Sequence, residues 1–400
     1  MTGHRRFLFT FAGGSGHLEP LIPIARAAEA AGHSVAFVGR PWMIPQVEAL
    51  GFPAFAAGSD VGLTPKRLPL VEADLEQDMR DVGVGFGRRI ARERAADVLP
   101  LCDRWRPDLL VCEEFDFGAM VVAERLALPH ATLQVNASGN FIRAAFVSGP
   151  LDEVRAEYGL PGDPSLAMLS RHLVLAPFPP SFRDPDLPLP ATAHNVRLLT
   201  LDAARSEAAP RWLTRRGDVP TVYFTLGTVY NMESGDLFQR VLTGLRDLPI
   251  DLIVTVGRDL DPDELGAQPA NVRVERFLPQ AALLPHCDVL VSHAGSGSVL
   301  GALANGLPMV LLPLGADQPL NAARCQALGV AEVLEAATVT PQGAREAVSR
   351  VLGDPACRRA AERVRDEIGA LRGPEYAVNL LERLAAGRRP SVPPHETVGA

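Results

Sequence analysis

The chain has no surplus of positive charge. Its 39 Lys+Arg stand against 47 Asp+Glu, a formal net charge of -8 with a pI of about 5.7. A protein that neutralises a phosphate backbone carries a basic stripe, so nucleic acid is not expected as a partner. Lysine itself is almost missing: Lys66 is the only one, a bias of composition that says nothing about mechanism. The five cysteines (Cys102, Cys112, Cys287, Cys325 and Cys357) show no C-x-x-C spacing and no histidine ladder. A zinc site and a disulfide frame are therefore not expected, and the set reads as reduced core thiols. Long apolar runs are missing too. The best candidate, 289–316, is interrupted by His293, Asn305 and Pro308 and splits into strand, loop, helix and strand, a poor membrane span. The start, "MTGHRRFLFTFAGG", imitates a secretory leader, but its apolar stretch is short and runs into glycines without a small-residue cleavage site. The acidic balance suits a cytoplasmic enzyme.

What is present is an ordinary globular composition, 47% hydrophobic and 22% charged, over 400 residues. That length is too great for one common core and predicts two domains. In the first half "RRFLFTF" reads as a buried strand, "EPLIPIARAAEAAG" as a helix ending at Gly32, and "SVAFVG" as the next strand. The grammar repeats in "DLLVCEE", "GAMVVAERLA" and "HATLQV", and restarts after residue 220 with "TVYFTLG", "SGDLFQRVLTGLRDL" and "DLIVTVG". It continues through "VRVERFL", "DVLVSH", "SVLGALANG" and "MVLLPL". Strands alternating with helices predict parallel sheets covered on both faces, here in two doubly wound α/β domains. Pro-rich and polar sequence over roughly 177–220 suits a linker, residues 59–100 and 137–170 interrupt the alternation, and the sequence after Gly387 reads as a disordered tail. Ligands of such a pair belong in the cleft, at the C-terminal ends of the strands.

Two glycine-rich turns sit at such ends. In "GGSGHLEP" the glycines at 14 and 16 begin a dinucleotide fingerprint, but its third falls on Glu19, which disfavours a nicotinamide dehydrogenase. A better reading is a tight turn, Gly13, Gly14 and Gly16, that projects His17 toward the cleft; a helix-cap histidine is the plainer alternative. "HAGSGS", residues 293–298, has the features of an anion site: small residues expose N–H groups, a helix follows, and Ser296, Ser298 and His293 can donate. Asp317 and Gln318 follow the next strand as an adjacent pair suited to polyhydroxyl recognition. Asp259, Asp261 and Asp263 form D-x-D strings, but in a polar loop that reads as a solvated turn, not a metal site.

These residues together resemble the inverting, GT-B fold glycosyltransferases of bacterial natural-product pathways, relatives of the family 1 glycosyltransferases that decorate polyketide, enediyne or macrolide antibiotics. The resemblance spans nearly the whole chain and is strongest in "RFLPQAALLPHCDVLVSHAGSGSVLGALANGLPMVLLPLGADQPLNA". It implies two Rossmann-like domains facing across a cleft. An acceptor-binding domain would occupy 1–200, a linker 201–219 and a nucleotide-sugar domain 220–373, with a helix at 374–386 returning to the first domain and a tail over 387–400. It further implies that His17, beside Gly16, is the general base and that a carboxylate holds it: Glu113, with Glu114 and Asp116 as rivals. Gly16 would belong to the donor site too, with Thr228 and the loop of His293, Gly295, Ser296, Gly297 and Ser298 binding diphosphate, Phe277 and Leu278 the base, and Asp317 and Gln318 the sugar. Many relatives carry Glu where this chain has Gly301; a carboxylate with no ribose 2′-hydroxyl to meet would cost about 1–3 kcal/mol. Gly301 therefore favours a dTDP-sugar over a UDP-sugar. No cofactor and no metal are implied, because helix dipole and loop amides offset the phosphate charge. The acceptor would be a hydrophobic aglycone, with Phe86, Phe141 and Phe146 as candidate lining; a homodimer is left open. Two rival readings share the fold: a sugar-nucleotide epimerase, and a non-catalytic sugar-nucleotide-binding activator of a partner transferase.

Overall fold

A computed structural model describes residues 3–60, 67–198, 212–213, 218–228 and 230–387. The first sheet contains seven parallel strands: β1 (Arg6–Thr10), β2 (Ser34–Gly39), β3 (Ala54–Ala56), β4 (Leu109–Glu113), β5 (His130–Leu133), β6 (Leu173–Ala176) and β7 (Ala193–Asn195). Their order is β3-β2-β1-β4-β5-β6-β7. The second contains six, β8 (Thr221–Thr225), β9 (Asp251–Thr255), β10 (Val272–Glu275), β11 (Val289–Ser292), β12 (Met309–Leu311) and β13 (Ala331–Val333), in the order β10-β9-β8-β11-β12-β13. Pairing is parallel throughout both. The strand order reverses between β1 and β4 in one sheet and between β8 and β11 in the other. Those are the switch points where open α/β sheets bind ligands.

Period-two alternation explains why both faces are covered. In β1, Phe7 and Phe9 enter the core on one side and Leu8 the core on the other. In β11, Val289 and Val291 face one layer and Leu290 the opposite one. The stretch after β1 is not one continuous helix. Pro20 and Pro23 each start a new segment, so a single turn (Ser15–Leu18) and a 3-10 turn (Glu19–Leu21) precede the helix Ile22–Ala30. This breaks the register and lets His17 stand apart from the helix proper.

The stretches that interrupt the alternation are helical. Leu75–Val82 runs through a π-helical segment, Gly83–Ile90, into Ala91–Trp105, and a separate helix spans Ala144–Glu157. Gly83 is needed where these cross, because a Cβ there would lie 2.1 Å from the Phe146 carbonyl oxygen. At the C-terminal end, Ala377, Val378, Leu380, Leu381 and Leu384 of the helix Pro374–Ala385 complete the first domain's core. Polar contacts hold this helix there: His33 Nε2 lies 2.9 Å from Glu382 Oε1, and His194 Nδ1 2.9 Å from the Tyr376 hydroxyl. Of the expected linker only 212–213 and 218–219 are described, and the expected tail beyond residue 387 lies outside the described residues. Among the described residues no helix is long and apolar enough to cross a membrane, and all five cysteines are buried free thiols.

Candidate active site

Adjacent strands β1 and β4 end side by side, and each contributes one half of a pair. His17, in the turn after β1, brings Nδ1 to 3.0 Å from Glu113 Oε1 at the end of β4. Glycine is obligatory at position 13 because a Cβ there would overlap the His17 ring, at 2.1 Å. At Gly16 a Cβ would meet nothing, so packing does not demand glycine there. Glu113 is fully buried and fixed by the backbone: Phe115 N–H donates to Oε1 at 2.8 Å and Ala12 N–H to Oε2 at 3.4 Å. The ring is tilted off a linear hydrogen bond. Burial opposes the imidazolium. The charge and hydrogen bond of Glu113, with added charge from Glu114 and Asp317, outweigh it and raise the His17 pKa. With Nδ1 turned to Glu113, Nε2 is the ring atom left for a substrate.

The rival carboxylates go elsewhere. Glu114 points toward β5, where its Oε1 accepts the N–H groups of Val135 and Asn136. Burial pushes its pKa up to about 8, with further upward pressure from Glu113 and Asp317. Asp116 caps the helix Phe117–Arg125 by accepting from Ala119 N–H and pairs with the fully buried Arg94, whose guanidinium also donates to the carbonyls of Ala57 and Val38. Glu113 alone of the three touches the histidine.

Across the cleft, β11 ends in Ser292 and the helix Ser296–Ala304 begins inside "HAGSGS". Gly295 is its N-cap and no side chain caps it, so its first N–H groups and positive dipole end are left for an anion. His293 lies between two glycines: a Cβ on Gly227 or Gly295 would come within 2.6 or 2.5 Å of its ring. Burial lowers its pKa to about 4, so it is a neutral donor near pH 7. Its Nδ1 is buried and has no partner among the described residues. Ala294 and Ala316, one beside His293 and one beside Asp317, both hold left-handed backbone, at φ 67° and 54°. Such conformations are costly without glycine and concentrate at sites. Thr228, past β8, is exposed. Gly297 is exposed too, and a Cβ there would meet nothing.

The two serines are placed differently. The Ser296 hydroxyl donates to Asp317 Oδ2 at 2.6 Å and accepts from Ala137 N–H at 3.0 Å and Asn321 Nδ2 at 3.1 Å, so it ties the loop to the first domain instead of facing an anion. Ser298 accepts from Gln280 Nε2 at 3.0 Å and keeps its own proton to give. Asp317 also accepts from Asn321 Nδ2 at 2.8 Å. Burial raises its pKa, while the hydrogen bonds of Ser296 and Asn321 pull it down. The carbonyl oxygen of the Gln318 side chain is taken by the N–H groups of Leu314 and Gly315, which directs its amide nitrogen to any ligand role.

Phe277 is 44% exposed, with the Arg258 guanidinium 4.2 Å from its ring centre, beside the half-buried Leu278. Gly301 lies in the helix that begins inside "HAGSGS", where a Cβ would come 3.0 Å from Leu284. Asp261 caps a 3-10 turn and pairs with Arg276 at 3.2 Å, so the D-x-D strings form a surface turn. Beside His17 an aromatic wall has formed. Phe86 stacks on its ring at 6.1 Å, Phe115 meets it edge-on at 5.3 Å, and Phe141 packs on Phe115 at 6.4 Å. The π-helical turn aims Phe86 there. Phe115 carries no sequence signal beyond its place next to the carboxylates, and Phe146 faces Arg80 instead.

Models of the family described as Erythromycin biosynthesis protein CIII-like match this chain twice, the N-terminal domain over 26–227 and the C-terminal domain over 239–384. The 3-alpha-mycarosylerythronolide B desosaminyl transferase of Saccharopolyspora erythraea is 30% identical over 427 residues, covering 96% of this chain and 99% of its own. The glycosyltransferase SnogD from Streptomyces nogalater superimposes with a TM-score of 0.78 at 26% identity, covering 96% of this chain and 100% of that one. The Streptomyces sp. SF2575 glycosyltransferase SsfS6, complexed with thymidine diphosphate, gives 0.75 at 25% identity, over 95% of this chain and 100% of that one. With two parallel-sheet domains, a histidine–carboxylate pair on one and an uncapped glycine loop on the other, the chain belongs to the Erythromycin biosynthesis protein CIII-like family and is a glycosyltransferase of the GT-B fold.

Proposed function

We propose that this enzyme transfers a deoxysugar from a dTDP-sugar to a hydroxyl of a hydrophobic natural-product aglycone in antibiotic biosynthesis, in the cytoplasm, with inversion at the anomeric carbon and without a metal ion. The observation that carries this reading is the opposition of two switch points: His17 and Glu113 on one, the unpaired helix end and His293 on the other. His17 Nε2 takes the acceptor proton as the acceptor oxygen bonds to C1. The bond from C1 to the phosphate oxygen breaks, and its electron pair leaves with the diphosphate. Glu113 holds the imidazole tautomer and stabilises the imidazolium, while the amides from Ser296 to Ser298 and the neutral His293 stabilise the departing charge. Base and leaving-group site on opposite walls of the cleft imply attack from the face opposite the departing group. Phe86, Phe115 and Phe141 beside the base suit an apolar acceptor, which an epimerase would not need.

Incubating the protein with dTDP-sugars and candidate aglycones, with release of dTDP and the mass of the product followed together, tests the reading. Free dTDP with a glycosylated product is expected, and turnover should be unchanged in excess EDTA. A Mg²⁺ or Mn²⁺ requirement would remove the metal-free mechanism. Gly301 offers no carboxylate to a ribose 2′-hydroxyl, and the related SsfS6 holds thymidine diphosphate. Calorimetry is therefore expected to find dTDP bound at least as tightly as UDP; a strong preference for UDP would overturn the donor assignment.

A further inference from the structure

The segment 136–138, just past β5, belongs to the first domain but bonds to the second. Ala137 packs in a buried cluster that joins Phe178 and Phe182 of the first domain to the second domain's core, its N–H donates to Ser296 Oγ at 3.0 Å, and Ser138 N–H donates to Asn321 Oδ1 at 3.2 Å. Asn136 N–H binds Glu114 on the other side. The segment therefore spans the gap between Glu114 and the Ser296–Asp317–Asn321 network. Its backbone is engaged, but its side chains are not. Asn136 and Ser138 are 5% and 3% exposed, yet Asn136 Nδ2 and Ser138 Oγ have no partner among the described residues. Buried polar atoms are rarely left so, and two on one short segment call for a polar guest. Glu114 spends Oε1 on two N–H groups, and no hydrogen bond engages Oε2 among the described residues.

We infer that Asn136 and Ser138, with Glu114, recognise a hydroxyl group of the transferred sugar, so that donor choice is read partly by the acceptor-side domain. This rests on the dTDP-sugar reading above. The chemistry of the three groups selects the guest. An amide nitrogen only donates, a serine hydroxyl does both, and a carboxyl accepts when ionised and donates when protonated. A hydroxyl satisfies all three in either state of Glu114. A protonated tertiary amine cannot accept from Asn136, and a methyl group satisfies none. A site built to bind a hydroxyl rejects the analogue lacking it, because its own buried groups are then unpaired.

Calorimetry with dTDP, dTDP-glucose and the four dTDP-glucose analogues deoxygenated at C2, C3, C4 or C6 tests this without knowing the acceptor. For the wild type, loss of one particular hydroxyl is expected to weaken binding by about tenfold. In Asn136→Ala/Ser138→Ala that penalty should vanish while affinity for dTDP itself is unchanged, and Ser138→Thr, which keeps the hydroxyl, should retain it. The inference is overturned if the penalty persists in the double variant, or if the wild type binds all the analogues as tightly as dTDP-glucose. Loss of dTDP binding in the double variant would reveal a scaffold role and overturn it as well. A wild type that binds no dTDP would instead refute the donor assignment, and this inference with it.

Discussion

Replacing His17 with alanine is expected to lower kcat by about 10²–10⁴-fold, the usual contribution of a positioned general base, while dTDP binds with unchanged affinity. The split follows from geometry. The base sits on the first domain's switch point, whereas the amides that would hold the diphosphate belong to the second. Glu113→Gln keeps the shape but removes the charge that raises the His17 pKa. A general base works in its neutral form, so wild-type activity is expected to rise with pH through that raised pKa. Removing the charge should therefore move the acid limb of the kcat/KM profile to lower pH, while the plateau falls by about 10–10³-fold as the tautomer is no longer held. Asp116→Asn should behave differently. It breaks a fully buried pair with Arg94, so about 3–5 kcal/mol of stability is at risk, read as a lower Tm with the acid limb unmoved. Full turnover of His17→Ala on a hydroxyl acceptor would end the base assignment. A silent Glu113→Gln beside a shifted acid limb in Asp116→Asn would transfer the partner role to Asp116.

His293→Ala is expected to weaken dTDP binding and turnover together. Losing one preorganised donor to developing charge costs about 10²–10³-fold in kcat, and the ground-state diphosphate should lose part of the same contact, about tenfold in Kd. Burial lowers this imidazole's pKa to about 4, so it stays a neutral donor across the working range and should add no limb to the pH profile above its own titration. The contrast with His17→Ala is diagnostic: one variant loses kcat alone, the other kcat and affinity. Unchanged dTDP affinity in His293→Ala would remove the ring from the phosphate site and leave the helix amides to hold it.

The parallel α/β grammar, the two-domain division and the two glycine turns, one before His17 and one opening the helix after His293, are legible in the chain. These are local matters: strand alternation, proline and glycine punctuation, and a helix start are written within a few residues of one another. Which carboxylate meets His17 is settled by contacts between distant parts of the chain. Glu113 and Glu114 are neighbours at a strand end and leave it on opposite sides, one toward β1 and the other toward β5, and Asp116 turns back to cap a helix and meet Arg94. Nor could the motif show that Ser296 spends its hydroxyl on Asp317 and Ala137, since both partners come from distant chain. Phe115 beside His17, and the unpaired side chains of Asn136 and Ser138, were invisible for the same reason. Their environments are made by strands and loops far apart in the chain, within the first domain for Phe115 and across the cleft for the segment 136–138, and such partners leave no spacing in the chain to read.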